Sequence, residues 1–337
     1  MQSECNEWNQ SHCFCNQSET SFHITKIILR CIAPPVFILA LGGNFLSVLV
    51  VYRKRSLHNP SGFLIATLAA TEMATGLIVT CYFFAFSALH CGMLENFCIV
   101  LAYLSTTFVC FSHITVGLIS IDRYIAITRP LHYPMYITNK RLSRILILSI
   151  THSCFCASLP LMNLNQIQLG RYQYVEYLSL CWIDITDLSE NFIFLVIMYS
   201  ALLMVICIVV SCYVLIFVKA NQIHRKRRNL ELTKSSVRHL SKKLTRTILI
   251  VITVYLIFII PSTATILITL NHHRLFLSPT MSKIMTFWGL HIKIIINPLI
   301  FGFSHRDFRQ SYNQLFYYLV KRRRTRIFDQ VLRPSIQ

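Results

Sequence analysis

The sequence predicts an all-α membrane protein: a seven-transmembrane helix bundle followed by a cytoplasmic amphipathic eighth helix. Three observations predict it. Of 337 residues, 54% are hydrophobic and only 13% are charged, too apolar a balance for an ordinary soluble domain of this size. Seven apolar runs are near or above the ~20 residues that a helix needs to cross a bilayer. They are continuous, whereas barrel strands alternate over about ten residues. The basic clusters, finally, all fall on one side of a seven-span arrangement.

In chain order the runs cover roughly 27–52, 62–89, 97–121, 145–163, 191–218, 245–270 and 283–303. Arg53-Lys54-Arg55 follows the first, and Lys140, Arg141 and Arg144 precede the fourth. Arg225-Lys226-Arg227-Arg228 lies between the fifth and sixth, and Lys321-Arg322-Arg323-Arg324 in the tail. The opposite side holds mostly acids, among them Glu95, Glu176, Asp184, Asp187 and Glu190. Positive residues stay inside, so the N-terminus is expected outside and the C-terminus in the cytoplasm. The net charge of +19 would suggest nucleic acid in a soluble protein, but its placement sets topology instead, and nucleic-acid binding is excluded. The same clusters would attract acidic membrane lipids at about 1 kcal/mol per charge, although topology alone accounts for them.

Four segments follow: an extracellular tail over 1–26, the bundle over 27–303, helix eight over 304–320 and a basic cytoplasmic tail over 321–337. The glycosylation sequons at Asn9 and Asn16 both precede the first span, consistent with a lumenal tail. Residues 1–20 are polar, with no apolar h-region, so the first span is expected to serve as the insertion signal. From Ser304 to Tyr318, Phe308, Tyr312 and Leu315-Phe316 alternate with basic residues, the pattern of a helix lying in the membrane surface. Of 13 cysteines, those within spans are small apolar packers. Cys5, Cys13, Cys15, Cys91, Cys98 and Cys181 fall on the oxidising face, an even number that permits disulfides. No metal-ligand spacing or cofactor motif is present.

Polar residues inside the spans carry the functional signal. An amide at Asn44 in mid-membrane must hydrogen-bond another helix. Glu72 puts a carboxyl well inside the bilayer, and Lys293 an amine four residues before Asn297. A lone intramembrane lysine costs about 2.5–3.5 kcal/mol on insertion scales, and a carboxylate within reach offsets much of it. The octet Ser120-Ile121-Asp122-Arg123-Tyr124-Ile125-Ala126-Ile127 closes the third span. Its buried arginine needs a partner or a task, and Asp122 is the adjacent partner.

Asn44, Cys98, Asp122-Arg123-Tyr124, Pro261, Asn297-Pro298 and Phe308-Arg309 stand in the order and helices of the rhodopsin-like (class A) G-protein-coupled receptors, which this sequence resembles over about residues 27–318. The resemblance implies a plasma-membrane receptor that converts binding of an extracellular ligand into activation of a heterotrimeric G protein, with no enzymatic activity. It implies a disulfide from Cys98 to Cys181. It also gives Asp122, Arg123, Tyr124, Tyr213, Asn297, Pro298 and Phe301 roles in coupling and activation. The family places a sodium ion among the second-helix acid, a third-helix serine (Ser112) and the seventh helix. Here Lys293 is expected to pair with Glu72 and take the ion's place. The alternative is a protonated Glu72 with Lys293 in a water-filled cavity.

The ligand pocket is expected at Tyr103, Ser105, Ile183 and Asp184, together with Ile266, Trp288 and His291. Ser105 stands where amine receptors carry an aspartate, which disfavours a small amine. His291 and Asp184 match adenosine-receptor positions, whereas Ile183 and Ile266 do not match that family's purine contacts. An opsin is disfavoured too. Its retinal lysine would sit at position 291, about 200° around the helix from Lys293.

The sequence departs from the family at Glu72 (usually aspartate), Ile259 and Ile150 (usually tryptophan), Val205 (usually proline) and Phe301 (usually tyrosine). No acid stands near Ser241-Lys242-Lys243 to clamp Arg123. Measurable ligand-free signalling is therefore expected, opposed by the missing Phe301 hydroxyl. The other readings are an uncoupled seven-span scaffold or decoy and, more remotely, a transporter or membrane enzyme. The last would need inverted repeats or an ion path.

Overall fold

The computed structural model describes residues 19–88, 95–162, 164–175, 180–184, 187–229, 257, 294–299, 309–310, 312–314 and 317. Six α-helices and one hairpin are labelled in chain order: α1 Glu19–Arg53, α2 Pro60–Ala88, α3 Glu95–Thr128, α4 Tyr133–Tyr136, α5 Asn139–Ser158, β1 Tyr172–Val175, β2 Leu180–Ile183 and α6 Leu188–Asn229. α1, α2, α3, α5 and α6 hold the first five apolar runs. Residue 257 and residues 294–299 are also helical, within the sixth and seventh runs. Four helical stretches among the described residues are long and apolar enough to cross a membrane: Pro60–Ile78, Glu95–Thr128, Asn139–Met162 and Ser189–Lys219.

The helices outrun their apolar runs. α1 begins at Glu19, inside the expected tail, and α6 continues to Asn229, past the basic cluster. Bilayer thickness sets the length of an apolar run, whereas a helix, once nucleated, adds a hydrogen bond per residue until a breaker intervenes. Residues 19–33 and 219–229 contain neither proline nor glycine. Local caps set other ends. Asn59 Oδ1 accepts from the Gly62 amide at 2.8 Å beside Pro60, the first residue of α2, and the Thr138 hydroxyl accepts from the Arg141 amide at 3.3 Å, both ordinary N-terminal caps.

α3 is the hub: α2, α5 and α6 all pack on it, and α1 packs on α2. Leu64, Phe111, Leu142 and Leu146 join α2, α3 and α5. Val205, Val209, Tyr213 and Ile216 of α6 pack on Val116, Tyr124 and Ile127 of α3. Outward-facing Ile38, Leu39, Leu148, Leu203 and Met204 are all more than half exposed, as befits surfaces that face lipid. Hydroxyls within the spans bond back to their own helix: Thr71 to Thr67 O, Thr75 to Thr71 O, Thr115 to Phe111 O and Ser153 to Ser149 O, at 2.7 to 3.0 Å. This satisfies them where no water is at hand.

Among the described residues the β1–β2 hairpin is the one departure from helix. β1 and β2 pair antiparallel, with Tyr174 opposite Cys181, and a disulfide ties Cys181 to Cys98 at the top of α3. The Tyr172 hydroxyl donates to Ala157 O of α5 at 2.9 Å, and Trp182 Nε1 donates to Thr106 Oγ1 of α3 at 3.2 Å. The chain reaches the hairpin through Gly170 at φ +91°, a left-handed conformation that favours glycine.

Where α1 meets the seventh span, a Cβ added to Gly43 would stand 3.1 Å from Pro298 Cγ. Small residues permit such close helix approach. Gly43→Val is therefore expected to force the two helices apart and destabilise the protein by about 1–3 kcal/mol. Thermal unfolding in detergent, followed by a thiol-reactive dye or tryptophan emission, should register a clearly lower midpoint; an unchanged midpoint would mean that the contact yields freely.

Candidate functional site

The cytoplasmic end of α3 carries the first cluster. Successive helical residues point about 100° apart, so Arg123 does not share the buried direction of Asp122. Asp122 is 1% exposed. Its Oδ2 accepts from the Ser61 hydroxyl of α2 at 2.6 Å, and its Oδ1 accepts from the Tyr133 hydroxyl of α4 at 2.7 Å. These are the lengths of charge-assisted O–H···O⁻ bonds. Arg123 Nε lies farther away, 3.7 Å from Asp122 Oδ2, with its side chain 29% exposed. The carboxylate is thus held chiefly by two neutral hydroxyls from neighbouring elements, and the guanidinium only loosely. Burial, reinforced by the bond to Asp122, pushes the Tyr133 phenol up to about 12. The raised value means that this bond contributes fully below the usual phenol pKa of about 10 and is lost only as pH climbs through about 12. Tyr213, 5% exposed, packs with Tyr124 in the α3–α6 cluster beside this site.

The second cluster lies at mid-membrane. Glu72 is 1% exposed, and its Oε1 accepts from the Ser112 hydroxyl at 2.6 Å and from Asn297 Nδ2 at 3.2 Å. Asn44 Nδ2 donates to Ala40 O at 2.8 Å and, across to the seventh span, to Ile294 O at 2.9 Å. The Ser47 hydroxyl shares a 2.8 Å bond with the Tyr312 hydroxyl, which fastens the helical residues near 312 to α1. Helices one, two, three and seven therefore meet through Asn44, Glu72, Ser112 and Asn297. Lys293 and Phe301 lie outside the described residues, as do Pro261, Asn9 and Asn16.

The expected pocket residues are less uniformly placed. Ser105 is half-buried and its hydroxyl donates to Ala102 O of its own helix at 3.0 Å. Tyr103 packs against the apolar cluster beneath the hairpin, beside Cys154 of α5. Ile183 is fully buried in that same cluster. Asp184 is half-buried, and its carbonyl accepts from Asn191 Nδ2 at 3.0 Å. Ile266, Trp288 and His291 lie outside the described residues. Among the described residues no group of three or more His, Cys, Asp or Glu could hold a metal ion.

The sequence model of the family "7 transmembrane receptor (rhodopsin family)" matches residues 43–301, a stretch that contains Asn44, Glu72, Ser112, Asp122, Arg123, Asn297 and the disulfide. The chain belongs to the rhodopsin family of seven-transmembrane receptors. It is a G-protein-coupled receptor, not an enzyme, and a multi-pass membrane protein with the seven-helix fold. The receptor is similar in fold to squid rhodopsin, with a TM-score of 0.72 at 20% identity over 91% of this chain and 88% of that one. It is 26% identical to the human histamine H2 receptor over 297 residues, 86% of this chain and 80% of that receptor. It is likewise 26% identical to mouse trace amine-associated receptor 5 over 302 residues, 88% of this chain and 87% of that receptor.

Sequence reading paired Asp122 with Arg123 and missed the receptor's two stronger partners. Ser61 is the second residue of α2 and Tyr133 the first of α4. Neither stands out in composition, and only the fold brings them to one carboxylate. The Trp182–Thr106 bond was missed for the same reason. A tryptophan next to a loop cysteine was the available signal.

Proposed function

We propose that this receptor sits in the plasma membrane with its N-terminus outside, takes an extracellular ligand beneath the β1–β2 hairpin, and passes the signal to a heterotrimeric G protein through Arg123. The observation that carries the reading is Asp122 held by Ser61 and Tyr133. Three elements, α2, α3 and α4, close on one carboxylate while the adjacent guanidinium stays part-exposed, 3.7 Å away. Beside it Leu131 is 89% and Met135 68% exposed, apolar side chains on a cytoplasmic connection that suit a protein partner. A receptor must favour one bundle arrangement over another to signal, and bonds made only in the closed arrangement set that balance.

Tyr133→Phe and Ser61→Ala each remove one closed-state hydrogen bond to a charged group, worth about 1.5–3 kcal/mol. The closed-to-open balance should shift about ten-fold or more for each variant, read as a clear rise in ligand-free signalling in a panel of G-protein dissociation sensors at matched surface expression. An unchanged signal in both would separate this carboxylate from activation and favour the uncoupled scaffold.

The names of the relatives point to histamine and trace amines as their ligands. For this receptor we infer a ligand that is not anchored by an acid on α3, because Ser105 stands at the amine-binding position and its hydroxyl is turned to Ala102 O. The adenosine-like positions His291 and Asp184 leave a nucleoside among the ligands to screen. At mid-membrane, Glu72 with Ser112 and Asn297 is the cluster that a cation would occupy. We propose that the Lys293 ammonium serves as that cation, since an amine and a carboxylate that both fall within membrane spans lower one another's cost when they pair. Replacing sodium by N-methylglucamine should then leave ligand-free signalling unchanged. A clear sodium effect, abolished by Glu72→Ala, would refute the pairing.

A further inference from the structure

α4 is a helix that its own residues do not sustain. It is four residues long, His132 gives it no side-chain cap at the start, and none of its residues is buried. A single turn does not repay the cost of nucleation, and no core contact makes up the difference. The turn is held from outside instead. At its start the Tyr133 hydroxyl meets Asp122 Oδ1 at 2.7 Å and the Ser61 hydroxyl at 3.3 Å.

At its end a second tether comes from α5. Arg141 reaches back across Ile137 and Thr138, and its Nη1 donates to Met135 O and, at 3.5 Å, to Tyr136 O. These are the last two carbonyls of α4, which a helix cannot pair within itself, and a basic side chain is a common cap for them. Arg141 is also well rooted. Its amide is capped by the Thr138 hydroxyl at 3.3 Å, and the next residue, Leu142, is buried in the core that joins α2, α3 and α5. Arg144, on the same helix, makes a different bond: its Nε donates to Lys140 O at 3.4 Å.

We propose that Arg141 is a positioning residue of the coupling machinery. It seats α4 so that Tyr133 meets Asp122, and it acts on the closed arrangement only through that bond. The inference rests on the reading of the Asp122 bonds as the restraint that keeps the bundle closed. With Arg141 removed, the turn loses its C-terminal tether, Tyr133 spends less time on the carboxylate, and the closed arrangement loses part of that bond. The arginine thus has a task in the balance of states besides its share in topology.

Ligand-free signalling in the panel of G-protein dissociation sensors, at matched surface expression, tests this. Arg141→Ala should shift the closed-to-open balance toward signalling about two- to five-fold, the worth of an exposed cation at a helix end. Arg141→Lys keeps a cation at the same carbonyls and should restore most of the wild-type level. Arg144→Ala removes the same charge from the same helix and should match the wild type. In the Tyr133→Phe background Arg141→Ala should add nothing, because the bond that it positions is already gone. An additive rise or a fall in that background would overturn the proposal. So would a Lys variant no better than Ala, an Arg144→Ala rise as large as that of Arg141→Ala, or an Arg141→Ala receptor at the wild-type level while Tyr133→Phe is raised. No rise with Tyr133→Phe itself would overturn the reading of Asp122 beneath the proposal, and the proposal with it.

Discussion

Arg123→Ala is expected to lower ligand-free G-protein activation at least ten-fold at matched surface expression. The effect should be clearest in the Tyr133→Phe background, where the basal signal is raised. Asp122 already accepts two short hydroxyl bonds, and Arg123 Nε stands 3.7 Å away with the side chain 29% exposed. The guanidinium is therefore free to leave its neighbour. It carries five donors in a rigid fork, and each charge-assisted bond to a partner is worth about 1.5–3 kcal/mol, so losing one or two costs ten-fold or more. Arg123→Lys should fall between, because it keeps the charge without the fork. A variant that signals like its parent across the sensor panel would take Arg123 out of coupling. A parent and variant both silent in the Tyr133→Phe background would favour an uncoupled scaffold.

Cys181→Ser is expected to remove most receptor from the cell surface. The disulfide joins positions 83 residues apart, and closing a loop of that length is worth about 4–5 kcal/mol on a chain-entropy account, a large part of the 5–15 kcal/mol that a folded domain typically holds. Its loss would also free the hairpin that fills the apolar cluster with Tyr172 and Ile183. Cys98→Ser should behave alike, and the double variant no worse than either single one, because both remove the same bond. Surface immunostaining of the three variants reads this directly. Normal display of Cys181→Ser would show that hairpin packing suffices.

The spans are legible in the sequence because the bilayer imposes one requirement on every one of them, a run of apolar residues about 20 long. Basic clusters then orient the runs, since charge stays on the cytoplasmic side. Glu72, Asn44 and Arg123 announced themselves because polar groups in hydrocarbon are rare. The extent of α1 and α6 was not readable from hydropathy, which marks where lipid ends rather than where helix ends. Nor was the hairpin, since Tyr172–Val175 and Leu180–Ile183 are four-residue strands, too short to show a period.

Membership in a seven-helix class, its topology and its few costly polar positions thus follow from amino-acid order alone, because transfer between water and lipid acts on each residue locally. Which groups meet is a different matter. Ser61 and Asp122 are 61 residues apart, Asn44 and Ile294 are 250, and Glu72 and Asn297 are 225. No local preference encodes a bond across that distance. The packing of α1 on α2, of α2 on α3, and of residues 294–299 against α1 and α2 brings each donor to its acceptor, because a hydrogen bond needs about 3 Å and a good angle, and only the assembled bundle supplies both.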